Sequence, residues 1–121
     1  SEGEALFREV LEEASRVGAT LILFGSRARG DHSLMSDYDL LAIYRDVPVK
    51  GRGLIVNVFS VKLEEFEEGA YRSPLVLSAL LTGRVLLDGL GVEESLAELR
   101  GRLTAAGGRV EGDRIVMPRK R

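Results

Sequence analysis

The sequence contains no cysteine and no glutamine, and it has one histidine, His32, and one asparagine, Asn57. Without cysteine there can be no disulfide, no thiolate zinc site and no cysteine nucleophile. One histidine cannot build a centre of several imidazole ligands. Its apolar runs, such as 21–24, are much shorter than the roughly 18 residues that a membrane span requires. We therefore expect a cytoplasmic protein without a membrane-spanning segment.

The chain also has little excess charge of either sign: 17 lysines and arginines nearly balance 19 acidic residues, and the net charge is −2. Proteins held to nucleic acid by electrostatics usually carry a strongly basic surface. The charge balance therefore argues against a nucleic-acid partner. Charged residues make up 30% of the chain while amide side chains are nearly absent, a composition typical of thermophilic proteins.

The spacing of apolar residues predicts a single α/β domain over residues 1–121. Its core spans 4–87, and a C-terminal helix and hairpin span 92–117. Apolar residues three and four apart indicate helices, whereas short continuous apolar runs indicate buried strands. Ser73 before Pro74 is a typical helix start. The predicted elements are helices at 4–17, 62–68, 74–82 and 92–103, strands at 20–24, 40–44, 54–61 and 85–87, and a hairpin at 109–117.

The first segment with a chemical signature is Gly-Ser-Arg-Ala-Arg-Gly at 25–30, directly after a buried strand. Gly25 allows the backbone to approach a ligand closely. The N–H groups of the following turn and the Ser26 hydroxyl can bind an anion. Arg27 and Arg29 can add charge-assisted hydrogen bonds to phosphate. The segment therefore predicts a phosphate-binding turn.

A pair of carboxylates, Asp37 and Asp39, stands at the start of the next predicted strand. Side chains two residues apart on a strand point to the same face, so both carboxylates can converge on one site. Two hard oxygen ligands beside a phosphate-binding turn suit Mg²⁺, which shares the oxygens of substrate phosphates. Neither the turn nor the pair is specific alone, but together they predict metal-assisted chemistry at phosphorus.

Gly25-Ser26, ten intervening residues and Asp37-x-Asp39 resemble the signature of the DNA polymerase beta-type nucleotidyltransferase superfamily. The form of the 25–30 segment is similar to that of its minimal nucleotidyltransferases, which prokaryotes pair with helical HEPN-domain proteins. The resemblance covers about 20–87 and implies a small mixed sheet with helices packed on one face. It also implies that Gly25 and Ser26 hold the phosphates of an NTP such as ATP. Asp37 and Asp39 would bind Mg²⁺, with Mn²⁺ as the alternative.

The chain departs from this pattern at Asn57. Superfamily members usually carry a third carboxylate on the next strand, where it supports a metal and can activate the attacking hydroxyl. The strand at 54–61 has Asn57 as its central polar residue, and an amide can be neither an anionic ligand nor a base. A polar side chain within an apolar strand normally has a partner, so we expect Asn57 to face the site.

Three functional hypotheses follow. The first is Mg²⁺-dependent transfer of AMP from ATP to a hydroxyl of a partner protein, with the chain as the antitoxin of a HEPN toxin–antitoxin pair. The second is a catalytically weakened, nucleotide-binding antitoxin that acts by binding its partner. The third, a transferase acting on RNA or a small molecule, is less favoured by the acidic balance of the chain. A homodimer contact on the apolar side of 74–87 or 92–103 is a further option.

Overall fold

The computed structural model describes residues 1–120, which form five helices and six strands. In chain order these are α1 (Glu2–Val17), β1 (Thr20–Phe24), α2 (Gly25–Arg29), β2 (Tyr38–Tyr44), β3 (Val56–Lys62), α3 (Leu63–Arg72), α4 (Pro74–Thr82), β4 (Arg84–Asp88), α5 (Glu93–Ala105), β5 (Arg109–Glu111) and β6 (Arg114–Val116). Within this described part, no helix has the length and apolar character of a membrane span. The predicted mixed α/β fold is confirmed.

A four-stranded mixed sheet in the order β3-β2-β1-β4 forms the centre of the fold. β2 pairs with β3 in parallel, whereas β1 pairs antiparallel with both β2 and β4. The connection at 45–55 returns the chain along the outer edge of β3, where Arg52 and Val56 exchange two backbone hydrogen bonds of 3.0 and 3.1 Å. Guanidinium contacts from Arg52 to Glu9 and Glu13 also tie this connection to α1. The path fixes β3 beside β2.

Helices cover both faces of the sheet, which corrects the expectation of helices on one face. α1 packs with Leu21, Leu23 and Leu40 on one side, whereas α3, α4 and α5 pack with Ile22 and Leu41 on the other. Neighbouring residues of a strand point to opposite faces, and β1 and β2 are apolar at nearly every position. Both faces of these central strands must therefore be covered. Strands that are buried on both faces typically have such continuous apolar sequences.

Asp88, at the end of β4, joins the sheet to the start of α5. Its carboxylate accepts hydrogen bonds from the Thr20 hydroxyl (2.8 Å) and from the backbone N–H groups of Val92 (2.9 Å) and Glu93 (3.1 Å). Partial burial alone would raise the pKa of Asp88, but the bonds from Val92, Thr20 and Glu93 hold that pKa below its ordinary value. The ionised form of Asp88 therefore stabilises the fold.

Replacing Asp88 by alanine is expected to lower the free energy of unfolding at pH 7 by about 2 kcal/mol, since two backbone N–H groups at the start of α5 and the buried Thr20 hydroxyl lose their acceptor. Because the pKa of Asp88 is lowered in the folded state, its contribution is complete above the unfolded carboxyl pKa of about 4 and fades as the pH falls below it. Urea titrations between pH 7 and pH 3 should show the difference between Asp88→Ala and wild type shrinking. Asp88→Asn, which cannot titrate, is the control, and a pH-independent gap between wild type and Asp88→Asn would contradict the assignment.

Candidate active site

Three neighbouring strands place polar groups side by side at one end of the sheet. In the strand register, Asp39 on β2 is opposite Phe24 at the end of β1 and opposite Asn57 on β3. Paired residues on neighbouring strands share a face, so these side chains project toward the face that carries α3, α4 and α5. Asp37 immediately precedes β2 and is exposed, whereas Asp39 is half-buried. The two carboxylates thus meet at the start of β2.

Asn57 bridges the two carboxylates. Its Nδ2 donates to Asp39 Oδ1 at 3.1 Å and lies 3.4 Å from Asp37 Oδ2. The orientation of the amide follows from its neighbours, because the NH₂ end attracts carboxylate oxygens that its carbonyl oxygen would repel. Rotating the amide by half a turn would instead present the carbonyl oxygen as a neutral ligand. Asp37, Asp39 and Asn57 therefore form one cluster.

The Gly-Ser turn lies against this cluster. Gly25 begins α2 directly after the extended Phe24 and has a φ of +74°, in the left-handed region that favours glycine. A Cβ at Gly25 would lie 2.7 Å from Asp39 Oδ2, a distance at which the carboxylate would have to move. Ser26 follows in the first turn of α2 and is half-buried. The absence of a side chain at Gly25 thus lets the turn and Asp39 approach each other.

The two arginines of α2 point in different directions. Arg27 donates from Nε (3.1 Å) and Nη2 (3.0 Å) to the backbone oxygen of Ser36, so two of its donors are engaged within the protein. Arg29 pairs with Asp31 at 3.2 Å, with side-chain exposures of 53% and 62%. An exposed pair of this kind is weak and exchanges readily with another anion. Of the two, Arg29 is the arginine whose charge is accessible to a ligand.

Sequence reasoning did not single out the aromatic residues Phe24 and Phe59. Their rings are tilted by 53° with centroids 6.3 Å apart, and Phe59 is 43% exposed. Phe59 lies two residues after Asn57 and hence on the same face of β3. The two-residue spacing from Asn57 on the predicted strand was the signal available in the sequence. The pair forms an apolar wall beside Asp39 and Asn57.

The donor set fits a hard cation. In residues 1–120, no group of three or more histidine, cysteine, aspartate or glutamate side chains could hold a metal. What the cluster offers instead is two carboxylates and one amide. Mg²⁺ is commonly bound by one or two carboxylates and completes its coordination with water and substrate phosphates, whereas a fully protein-enclosed cage is uncommon for it. Asp37 and Asp39 are thus suitable ligands for Mg²⁺ in the presence of a phosphate substrate.

The mixed sheet thus sets two carboxylates against a Gly-Ser turn. The sequence model of the nucleotidyltransferase domain family matches residues 5–82, which is more than half of the chain. The chain belongs to the nucleotidyltransferase domain family. A comparison with curated proteins gave no match. The matched segment runs from α1 to the end of α4 and includes the Gly-Ser turn and the Asp37–Asn57 cluster.

Proposed function

We propose that the chain transfers AMP from ATP to a hydroxyl group of a partner protein, with Mg²⁺ bound by Asp37 and Asp39. The observation that carries this proposal is the close approach of the Gly-Ser turn to the carboxylate cluster, where a Cβ at Gly25 would lie only 2.7 Å from Asp39 Oδ2. Membership of the nucleotidyltransferase domain family supports transfer of a nucleoside monophosphate in general. The identity of the acceptor, of the nucleotide as ATP and of the metal as Mg²⁺ is what we propose beyond family membership.

The roles of the residues follow from their positions. Asp37 and Asp39 would hold Mg²⁺, or Mn²⁺ in its place, which when bound neutralises charge that develops on the phosphates. Gly25 and Ser26 present backbone and hydroxyl groups to the phosphates that leave as pyrophosphate. Arg29 adds a cation by exchanging its exposed partner Asp31 for a phosphate oxygen. Arg27 contacts Ser36 and Tyr38 instead, so we do not assign it a contact with the phosphates.

The direction of attack places the acceptor beside β3. The acceptor oxygen bonds to the α-phosphorus while the bond from that phosphorus to the bridging oxygen breaks, and pyrophosphate departs in line. With pyrophosphate at Gly25 and Ser26, the acceptor approaches from the side of Asn57 and Phe59. Asn57 cannot take up the hydroxyl proton, which therefore passes to solvent. A phenol, with a pKa of about 10, is easier to use without a base than an aliphatic alcohol, so the tyrosine side chain of a protein is the acceptor that fits best.

The proposed partner is a HEPN-domain protein, with this chain as its antitoxin. The proposal comes from the resemblance of the 25–30 segment to minimal nucleotidyltransferases with such partners. Support comes from Leu34 and Met35, which are 97% and 89% exposed in the loop immediately before Asp37. Large apolar side chains that stand in solvent beside a site suit contact with another macromolecule. A protein acceptor would bury them.

The proposal can be tested with ATP labelled at the α-phosphate, Mg²⁺ and a HEPN-domain protein as the acceptor. We expect label on the partner together with release of pyrophosphate, and no label when EDTA is present. Asp39→Asn, which keeps the shape of the side chain but removes its charge, serves as the inactive control. Transfer that is absent, or equal for wild type and Asp39→Asn, would overturn the proposed activity.

A second candidate function is a nucleotide-binding antitoxin that silences its partner without chemistry. The observation that favours it is Asn57, which supplies neither the charge nor the base of a third carboxylate. Loss of a general base typically costs about 10²- to 10⁴-fold in rate. The two functions separate in Asp39→Asn: if this variant still binds and silences the partner, binding is sufficient and transfer is dispensable. Loss of silencing with retained binding favours transfer.

A further inference from the structure

We propose that Arg27 is a positioning residue that holds Asp37 in place, instead of a ligand of the nucleotide phosphates. The inference rests on the proposed function, because Asp37 matters as a metal ligand there. It concerns the half-buried arginine of the Gly-Ser-Arg-Ala-Arg-Gly segment, whose guanidinium contacts the residues at the start of β2.

Arg27 contacts both residues that flank Asp37. On one side, its Nε and Nη2 donate to the Ser36 backbone oxygen at 3.1 and 3.0 Å. On the other side, its Cζ lies 3.9 Å from the centroid of the Tyr38 ring. A guanidinium over an aromatic face is attracted by the ring electrons. One side chain of α2 thus fixes the backbone before Asp37 and the ring after it.

The stack continues into α1. The ring of Tyr38 lies nearly parallel to that of Phe7, with centroids 4.4 Å apart and an interplanar angle of 10°. Tyr38 is only 9% exposed, so Arg27 rests on a support that is itself anchored in the core. The arrangement requires an arginine, because a lysine has neither the planar group that stacks nor two donors in a fixed fork.

Asp37 needs such a hold more than Asp39 does. Asp39 lies within β2, whose backbone is paired on both sides, whereas Asp37 lies outside the strand and follows exposed residues at 31–35. Its side-chain hydrogen bond within the described chain is the 3.4 Å contact with Asn57. Without Arg27, the backbone at Ser36 would lose its link to α2. The Asp37 carboxylate would then be held less firmly toward the site, and the affinity for the metal would fall.

The test is Mn²⁺ binding in the absence of nucleotide, measured by calorimetric titration for wild type, Arg27→Lys and Arg84→Lys. Arg27→Lys keeps the charge, so a phosphate ligand or a pure electrostatic effect would leave the Mn²⁺ affinity unchanged. A positioning role predicts affinity weaker by about ten- to a hundredfold, as for other residues that orient metal ligands. Arg84→Lys makes the same exchange at an exposed position opposite Leu23, and we expect its affinity to equal that of wild type.

Backbone amide exchange provides the second readout. We expect faster exchange over 31–37 in Arg27→Lys than in Arg84→Lys. Tyr38→Leu, which keeps Arg27 but removes the ring, should act in the same direction and replaces Arg27→Lys if that variant does not fold. Wild-type Mn²⁺ affinity and exchange in Arg27→Lys would overturn the inference. If wild type itself binds no Mn²⁺, the proposed metal site is wrong, and amide exchange alone then decides whether Arg27 holds this segment.

Discussion

Asn57→Asp is expected to make the metal-free protein less stable and the metal-bound protein more active. In wild type, the Asn57 amide donates toward Asp37 and Asp39 at 3.4 and 3.1 Å. A third carboxylate removes these donors and adds a like charge, so we expect the metal-free protein to lose about 1 kcal/mol of unfolding free energy. The added anion attracts a divalent cation, and at 4 Å this attraction is about 4 kcal/mol per unit charge near a protein surface.

Metal affinity and reaction rate should therefore rise in Asn57→Asp, while the unfolding free energy of the metal-free protein falls. We expect Mn²⁺ to bind at least about tenfold more tightly, a gain of about 1.4 kcal/mol. If proton removal limits attack by water or a hydroxyl, pyrophosphate release should rise by about 10²- to 10⁴-fold with a base restored. Thermal melts with and without Mn²⁺, titration calorimetry and a pyrophosphate assay measure the three effects.

Asn57→Ala separates the loss of the amide from the gain of charge. It should lower the stability of the metal-free protein as Asn57→Asp does, but without tighter Mn²⁺ binding. If Asn57→Asp changes neither Mn²⁺ affinity nor the stability of the metal-free protein, the amide does not contact the carboxylates. Tighter Mn²⁺ binding without faster pyrophosphate release would instead favour the nucleotide-binding antitoxin over the enzyme.

Local signals in the sequence determine the elements that were predicted well. The buried run Thr20–Phe24 and the helix Pro74–Thr82 have the predicted bounds. The helix starts where Ser73 accepts a hydrogen bond from the Val76 N–H at 3.3 Å, as its sequence indicates. The helix predicted at 62–68 instead continues to Arg72, because its second turn buries Ala70 in the core shared with α4.

Bounds that depend on distant partners were less predictable. β2 begins at Tyr38, two residues before the predicted start, because the Tyr38 N–H donates to the Ile55 carbonyl at 2.8 Å. β3 begins at Val56 and not at 54, because the preceding residues form a turn closed by Arg52 and Val56. The position of α1 on its own face of the sheet likewise depends on the order of the strands, and no local sequence pattern predicts that order.

In the candidate site, too, local patterns were predictable and contacts between distant segments were not. The spacing of Asp37 and Asp39 predicts that they converge, and the polar break in an apolar strand predicts that Asn57 has a partner. The first prediction rests on the period of a strand and the second on the need of an amide within an apolar strand for a partner, and the structure brings the three side chains together. The direction of Arg27 could not be predicted, because it depends on how the chain at 30–36 folds back toward α2. Its charge alone suggested a phosphate ligand.

Gly25→Ala is expected to impair the site more than the fold. The backbone at Gly25 has a φ of +74°, which costs an alanine about 1 kcal/mol. The added Cβ would also lie 2.7 Å from Asp39 Oδ2, so this carboxylate must move away from the turn. Displacing a reacting group by about 1 Å can cost about a hundredfold in rate, and we expect that loss in pyrophosphate release and in label transfer.

Gly18→Ala is the matched control for this substitution. Gly18 also has a φ of 74°, at the end of α1, but nothing lies within 4 Å of a Cβ placed there. Both variants should therefore lose about the same unfolding free energy in urea titrations, about 1 kcal/mol. Only Gly25→Ala should lose metal binding and transfer, because only there does the methyl group meet a proposed metal ligand. Equal losses of transfer in the two variants would mean that Gly25 matters through backbone strain alone, and that Asp39 does not depend on the close approach of the turn.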